Sequence, residues 1–103
     1  MAIRIKCDLE GFEKNWIDFR ETSWPFGDRR SMLEDNSDIK ALTVILGYVE
    51  SWSLVNVSNK AVTFDPDGNI DLLNDVDDTL VGWLISAWFE ARGQREDLPK
   101  KVS

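Results

Sequence analysis

The segment DPDGNID, residues 65–71, carries three carboxylates and a glycine, the residue types with which an EF-hand loop binds calcium. With Gly68 in the sixth position of such a loop, the three aspartates fall at the third, fifth and ninth positions, where the loop has oxygen ligands. The two ends of the pattern do not match, because Thr63 stands at the first position and Asn74 at the twelfth. A calcium loop has an aspartate and a bidentate glutamate there, so two of its strongest ligands are missing.

The same segment has a simpler interpretation as a β-turn. Pro66 fixes φ near the value that the first central position of a turn requires, and Asp67 and Gly68 suit the positions that follow. The pattern therefore predicts a solvated turn and no metal site. A weak calcium-binding module stays open as an alternative function.

Residues suited to acid–base or nucleophilic catalysis are scarce. Histidine is absent, which removes the commonest general base and a common metal ligand. The single cysteine, Cys7, lies between Lys6 and Asp8, whose charges offset each other, so we expect an inert thiol. The acidic run 75–78 is typical of a helix start. We therefore predict no catalytic residue, no metal ligand and no cofactor, and a protein that is not an enzyme.

A pair of arginines offers one further chemical option. Arg29 and Arg30 follow Asp28 near the expected start of a helix, where they could bind an anion. Glu34 and Asp35 lie one turn further on, and their charges favour a solvated pair of arginines instead.

The composition indicates one folded domain. The chain has 103 residues, 43% of them hydrophobic, and five tryptophans, which is enough to build a core. We expect a single globular domain over residues 1–93. Residues 94–103 are polar and include Pro99, so we expect a surface tail there.

The charge and hydropathy limit the partners. Nineteen acidic against twelve basic residues give a net charge of −7, which opposes binding to nucleic acid. No stretch approaches the ~20 apolar residues of a membrane span, and the opening residues lack the apolar run of a secretory signal. We expect a cytoplasmic protein that binds neither nucleic acid nor a membrane, with an oligomeric state that stays open.

The local patterns predict an α+β domain with an N-terminal β-hairpin, a second small hairpin and two principal helices. Ser37 or Asp38 begins a helix that runs to about Ser51 and shows one apolar face, and the last helix starts within residues 75–78 and ends at Gly93. That apolar face consists of Ile39, Leu42, Leu46 and Val49. The other predicted elements are strands at 2–6 and 15–20, a short helix at 25–33, and the second hairpin at 54–64.

The last helix is apolar over an arc of about 240°, more than the ~100° stripe that a helix lying on a core requires. Its central residues, Leu80, Leu84, Ile85 and Trp88, are expected to face the core. Trp83 stands at the border of the arc. We predict a partner-binding surface there, formed by Trp83, Ala87, Ala91 and the neighbouring Trp52. The alternative is that Trp83 closes the core over a hairpin.

Two parts of the chain resemble the tail assembly chaperones of long-tailed bacteriophages. Residues 11–20, GFEKNWIDFR, are similar to the strand pair with a WxxxR centre that opens many members of that family. Residues 49–54, VESWSL, lead through DPDGN to residues 72–76 and an apolar C-terminal helix. This order resembles the later half of the family pattern.

The resemblance implies a non-catalytic protein in the cytoplasm of a bacterial host. It implies that the chain binds the tape measure protein and helps the tail tube protein to assemble around it. An alternative of another class is an acidic inhibitor that binds a nucleic-acid-binding protein by imitating phosphate charge.

Overall fold

The structure is a computed structural model, and it describes residues 2–21 and 23–94. Its strands form a single antiparallel sheet, and three α-helices accompany it. The predicted α+β class and the N-terminal hairpin are confirmed. In chain order the elements are β1 Ala2–Lys6, β2 Trp16–Arg20, α1 Phe26–Asp35, α2 Asp38–Leu46, β3 Val49–Val55, β4 Ala61–Val62, a 3-10 helix Ile70–Leu73 and α3 Asp78–Gln94. Residues 95–103 of the predicted tail lie outside the described part of the chain.

The two predicted β units belong to one sheet with the strand order β1-β2-β3-β4. The second hairpin is confirmed by the pairing of Leu54 with Val62 across β3 and β4. β2 and β3 join the two hairpins, with Ile17 opposite Trp52. The register shifts between Asp18 and Phe19, which marks a local irregularity in this pairing.

Helix α2 is shorter than predicted. Ser37 caps it by accepting a hydrogen bond from the backbone N–H of Lys40, but it ends at Leu46 rather than near Ser51. The backbone N–H of Arg20 donates to the carbonyl of Tyr48 at 2.9 Å, and Val49 already pairs in β3. Pairing with β2 thus satisfies backbone groups that a continued helix would have used internally.

The buried face of α2 also differs from the predicted one. Ile39 is largely exposed, and Leu46 is only half-buried. The buried residues of this helix are Ala41, Leu42 and Ile45. The reason is that α2 packs against both α1 and α3, so its contact face is set by two neighbours.

Helix α3 packs against β1, β2 and α2. Its buried residues are Leu80, Trp83, Leu84, Ala87, Trp88 and Ala91. At 100° per residue they span an arc of about 140°, from Trp83 to Trp88. Val81 and Ile85 are only half-buried, and Phe89 is 46% exposed. The expectation that Ile85 faces the centre of the core is therefore corrected, because the core lies on the Trp83 side of the arc.

The DPDGNID segment forms a turn, as predicted. The backbone N–H of Gly68 donates to the carbonyl of Asp65 at 2.9 Å, and the Asp65 carboxylate accepts from the backbone N–H of Asp67 at 2.9 Å. The Asn69 side chain accepts from the backbone N–H of Asp71 and caps the 3-10 helix. Within residues 2–21 and 23–94 no three His, Cys, Asp or Glu side chains are grouped to hold a metal ion. None of the helices in these two ranges is long and apolar enough to cross a membrane.

Candidate functional site

The four residues predicted to bind a partner are buried. Trp83 is 7% exposed, and Ala87 and Ala91 lie beside it on the same buried side of α3. Trp52 lies on β3, where its indole N–H donates to the carbonyl of Val62 at 2.8 Å and its ring meets the Phe64 ring edge-on. Their positions agree with the alternative that Trp83 closes the core, and they offer a partner very little surface.

One cleft lies where the start of α1 meets the end of α3. It has a volume of about 110 Å³. Two arginines, four aromatic residues and a proline line it, and we call it the arginine–aromatic cleft. The lining residues are Trp24, Pro25, Phe26, Arg29, Tyr48, Trp88 and Arg92.

Stacked aromatic rings form the inner wall of this cleft. Trp24 stacks on Trp88 with ring centroids 5.4 Å apart and an interplanar angle of 19°. Tyr48 packs against both rings, at 4.6 Å from Trp24 and 5.7 Å from Trp88. The Trp24 indole N–H donates to the carbonyl of Arg20 at 2.7 Å, which ties this ring to the end of β2. The wall therefore joins the end of β2 to α3.

Tyr48 connects the wall to helix α1. Its hydroxyl donates a 2.7 Å hydrogen bond to the Asp28 carboxylate, and the ring is almost fully buried. Burial, reinforced by the bond to Asp28, raises the pKa of Tyr48 to about 12. The phenol is therefore neutral at physiological pH and acts as a donor.

The mouth of the cleft is positively charged. Arg29 lies over the exposed ring of Phe26, 5.6 Å from its centroid, and Arg92 comes from the last turn of α3. In the described ranges the ion pairs join Arg4 to Asp18 and Arg30 to Glu34, so neither cleft arginine has a carboxylate partner there. Arg29 and Arg30, which the sequence analysis considered as a pair, thus differ: Arg29 lines the cleft, whereas Arg30 forms an ion pair with Glu34.

Two buried polar atoms near this wall have no hydrogen-bond partner among the described residues. They are the indole nitrogen of Trp88 and the Nε of Arg20. The Arg20 guanidinium lies 4.5 Å from the centroid of the Tyr48 ring, on which it is stabilised by a cation–π contact. Unsatisfied buried donors are uncommon, and they tend to mark sites where strain or a missing partner is involved.

An apolar groove adjoins the cleft. It has a volume of about 130 Å³ and runs between α1, α2 and α3. Leu33 is 60% exposed there, and Phe89 packs edge-on against Trp88, with 5.0 Å between ring centroids. Trp88 lines the cleft and Phe89 lines the groove, so the two depressions are separated by this pair of rings. The residues lining the groove, which we call the helical groove, are Met32, Leu33, Asn36, Ser37, Asp38, Ala41, Ile85 and Phe89.

The sequence analysis missed the contribution of Trp24 and Phe26. The signal available was the run SWPF, in which two aromatic residues flank the proline that begins α1. Large aromatic side chains at a helix start are commonly buried in the core, so the run did not by itself indicate a surface.

A comparison of the chain with protein-family models, curated protein sequences and solved structures finds no match.

Proposed function

We propose that this chain is a non-catalytic tail morphogenesis protein of the tail assembly chaperone type, which binds a tape measure protein in the cytoplasm of a bacterial host. Two lines support the proposal: the order of sequence motifs that resembles that family, and an exposed apolar surface on the helical side of the fold.

The observation that carries the proposal is the exposure of three large apolar side chains along α1 and α3. Phe26 is 63% exposed, Leu33 60% and Phe89 46%. Phe26 lines the arginine–aromatic cleft, and Leu33 and Phe89 line the helical groove. The two depressions lie on either side of the contact between Trp88 and Phe89. Single exposed apolar residues are common, but a group of them around two adjoining depressions is typical of a surface that binds another protein.

The residues of the WxxxR motif support this surface from behind. Trp16 lies under the Arg4 guanidinium at 3.7 Å and helps to hold the N-terminal hairpin. Arg20 packs on Tyr48, and its carbonyl accepts the Trp24 indole N–H. In this interpretation the motif does not contact the partner but positions the aromatic wall of the cleft.

The test is capture of the tape measure protein encoded by the same phage, by the purified chain fixed on a resin. We expect retention of the tape measure protein at physiological salt and no retention of duplex DNA. The double variant Leu33→Glu and Phe89→Glu should lose the capture, because it places two charges on the helical groove. Val57→Glu is the control for an added surface charge, since Val57 is apolar and 70% exposed but lies in the β3–β4 connection.

Equal capture by all three proteins would contradict the proposed surface. Failure of the wild-type chain to retain the tape measure protein would contradict the proposed function. Salt-sensitive capture of a nucleic-acid-binding protein in place of the tape measure protein would favour the acidic inhibitor instead.

A further inference from the structure

We propose that the arginine–aromatic cleft binds a side-chain carboxylate of the partner protein that is followed directly by an aromatic residue. The inference deepens the proposed function by naming the chemistry of the partner segment, and it rests on that function for the identity of the partner.

The first argument is the local charge. The whole chain has a net charge of −7, yet the lining of this cleft contains Arg29 and Arg92 and no acidic residue. Asp28 lies behind this lining, and its carboxylate accepts a hydrogen bond from the Tyr48 hydroxyl. A carboxylate that enters the cleft therefore meets two guanidinium groups in a partly enclosed space, where charge attraction is stronger than in open water.

The second argument is the position of the charges on the helices. Arg29 lies one turn from the N-terminus of the ten-residue helix α1, where a positive side chain opposes the helix dipole. Pro25 stands at the cap position and provides no side-chain hydrogen bond to the first N–H groups. The first turn contains one carboxylate, that of Asp28, whose backbone N–H donates to the Pro25 carbonyl at 3.2 Å. An anion at this end of α1 would offset the Arg29 charge and complement the N–H groups that precede Asp28.

The third argument is the unpartnered donor in the same wall. The Trp88 indole nitrogen is buried and lacks a hydrogen-bond acceptor within residues 2–21 and 23–94. The Trp88 ring lines the cleft together with Trp24 and Tyr48. A buried donor without an acceptor is costly, so a partner group that supplied an acceptor to this nitrogen would be favourable.

The aromatic part of the proposed ligand follows from the shape and exposure of the lining. Cavities of ~150 Å³ can hold a benzene ring, so a cleft of about 110 Å³ admits one side-chain group and not two. The carboxylate occupies that space between the arginines. The next side chain then lies outside it, against the Phe26 ring, which is 63% exposed and can pair with another aromatic ring.

The experiment measures the binding of three capped dipeptides by chemical shifts of the tryptophan indole signals. The probes are acetyl-Asp-Phe-amide, acetyl-Asn-Phe-amide and acetyl-Asp-Ala-amide. We expect the Asp-Phe peptide to shift the signals of Trp24 and Trp88 and to bind about tenfold more tightly than the Asn-Phe peptide, because only the former is charged. The Asp-Ala peptide should bind more weakly than the Asp-Phe peptide.

Arginine variants test the site independently. Arg29→Gln and Arg92→Gln should each weaken the Asp-Phe peptide about fivefold or more and leave the Asn-Phe peptide little changed. Arg30→Gln is the matched control, since Arg30 lies next to Arg29 but is exposed and paired with Glu34. Equal affinity of the Asp-Phe and Asn-Phe peptides for the wild-type chain would overturn the proposal without any variant. An equal effect of Arg30→Gln and Arg29→Gln would overturn the assignment to this cleft.

Capture of the tape measure protein separates this inference from the proposed function. If peptide binding requires Arg29 and Arg92 but the tape measure protein is not captured, the carboxylate site is supported and the proposed chaperone function is contradicted. Capture that is unchanged in the Arg29→Gln and Arg92→Gln variants supports the function and contradicts the cleft as its docking site.

Discussion

The hydroxyl of Tyr48 donates a 2.7 Å hydrogen bond to the carboxylate of Asp28 and so connects the residue before β3 to the first turn of α1. The two residues are twenty positions apart in sequence, and the bond brings the charged start of α1 next to the aromatic wall. Trp24 packs on the same tyrosine ring at 4.6 Å. The start of α1 is therefore held in place by a polar and an aromatic contact with one side chain.

Alkaline pH should weaken this connection. The pKa of Tyr48 is raised to about 12, so the folded chain holds the phenolic proton more tightly than the unfolded chain does. Its contribution to stability is complete below the ordinary tyrosine pKa of about 10, and it is lost as the pH rises from there to about 12. Tyr48 is the only tyrosine of the chain, so phenolate absorbance reports its titration directly.

The Tyr48→Phe variant provides the control for this prediction. At neutral pH it should lose about 1 kcal/mol through the missing hydrogen bond to Asp28. Between pH 10 and 12 its free energy of unfolding should fall less steeply than that of the wild type, because the variant lacks the titrating group. A wild-type phenol that titrates at its ordinary pKa would show that Tyr48 is not held as described.

Acid should act on a different contact, the one between Asp18 and Arg4. The Arg4 guanidinium donates to both carboxylate oxygens of Asp18, at 2.8 and 3.1 Å, and the Ser51 hydroxyl donates to one of them at 3.1 Å. The bond from Arg4 holds the pKa of Asp18 below its usual value. This contribution to stability is present above the ordinary pKa of about 4 and is lost as the pH falls below it towards the lowered value.

Asp18→Asn should therefore be less stable than the wild type at pH 7, and the difference should shrink below about pH 4. Urea unfolding of the variant and the wild type at pH 7 and at pH 3 measures the difference in their free energies of unfolding at each pH. Asp35→Asn, at the exposed end of α1, should change stability much less. A difference for Asp18→Asn that is the same at both pH values would argue against a lowered pKa.

Replacing Trp83 tests the burial of α3. Trp83→Ala should cost about 3 to 5 kcal/mol of unfolding free energy, since a large aromatic side chain leaves the core. Phe89→Ala, on the exposed border of the same helix, should cost less than about 1 kcal/mol. Chemical denaturation of the two variants gives the comparison. Similar losses of unfolding free energy for both variants would mean that α3 does not bury its Trp83 side as described.

Gly68 should not tolerate a side chain. A Cβ at this position would lie 2.6 Å from the Leu72 Cδ1 and 3.1 Å from the Asp65 carbonyl oxygen, both closer than van der Waals contact. Gly68→Ala should therefore destabilise the chain by about 1 to 2 kcal/mol, the lower figure applying if Leu72 moves aside. Gly82→Ala is the matched control.

Nothing lies within 4 Å of a Cβ at position 82, on the exposed side of α3. There alanine should raise stability by about 0.5 to 1 kcal/mol through its better helix propensity. Thermal unfolding of the two variants should move the melting temperature in opposite directions. A Gly68→Ala chain as stable as the wild type would show that the turn is looser than described.

Local sequence was sufficient where the signal is short-range. Ala2–Lys6 alternates apolar and charged residues, and the structure buries Ile3 and Ile5 on one face of that strand. Pro66 and Gly68 indicated the turn, and Ser37 indicated the start of α2. In each case the backbone preference and the hydrogen bonds involve residues only a few positions apart, so no knowledge of distant parts of the chain was necessary.

The end of α2 and the aromatic wall required the tertiary structure. Val49 continues the apolar spacing of α2, yet it lies in β3. The reason is that it pairs with Phe19 of β2, which lies thirty residues earlier in the chain. Trp24 and Trp88 are more than sixty positions apart, and their stacking follows from the way α3 returns over the sheet. Such contacts are not encoded in the local pattern of either segment.

The exposed border of α3 shows most clearly which features the sequence predicts and which depend on the tertiary structure. The sequence established that the helix is apolar over more of its surface than one contact face needs, and hence that one border is left over. It did not determine which of the two borders stays exposed, because the helical period gives the width of the apolar arc and does not distinguish its two sides. Packing against β1, β2 and α2 buries the side from Trp83 to Trp88 and leaves Phe89 exposed. The side of α3 that stays exposed, and on which we propose the binding surface, is therefore the Phe89 side, since burial of a helix face depends on the elements that the rest of the chain places against it.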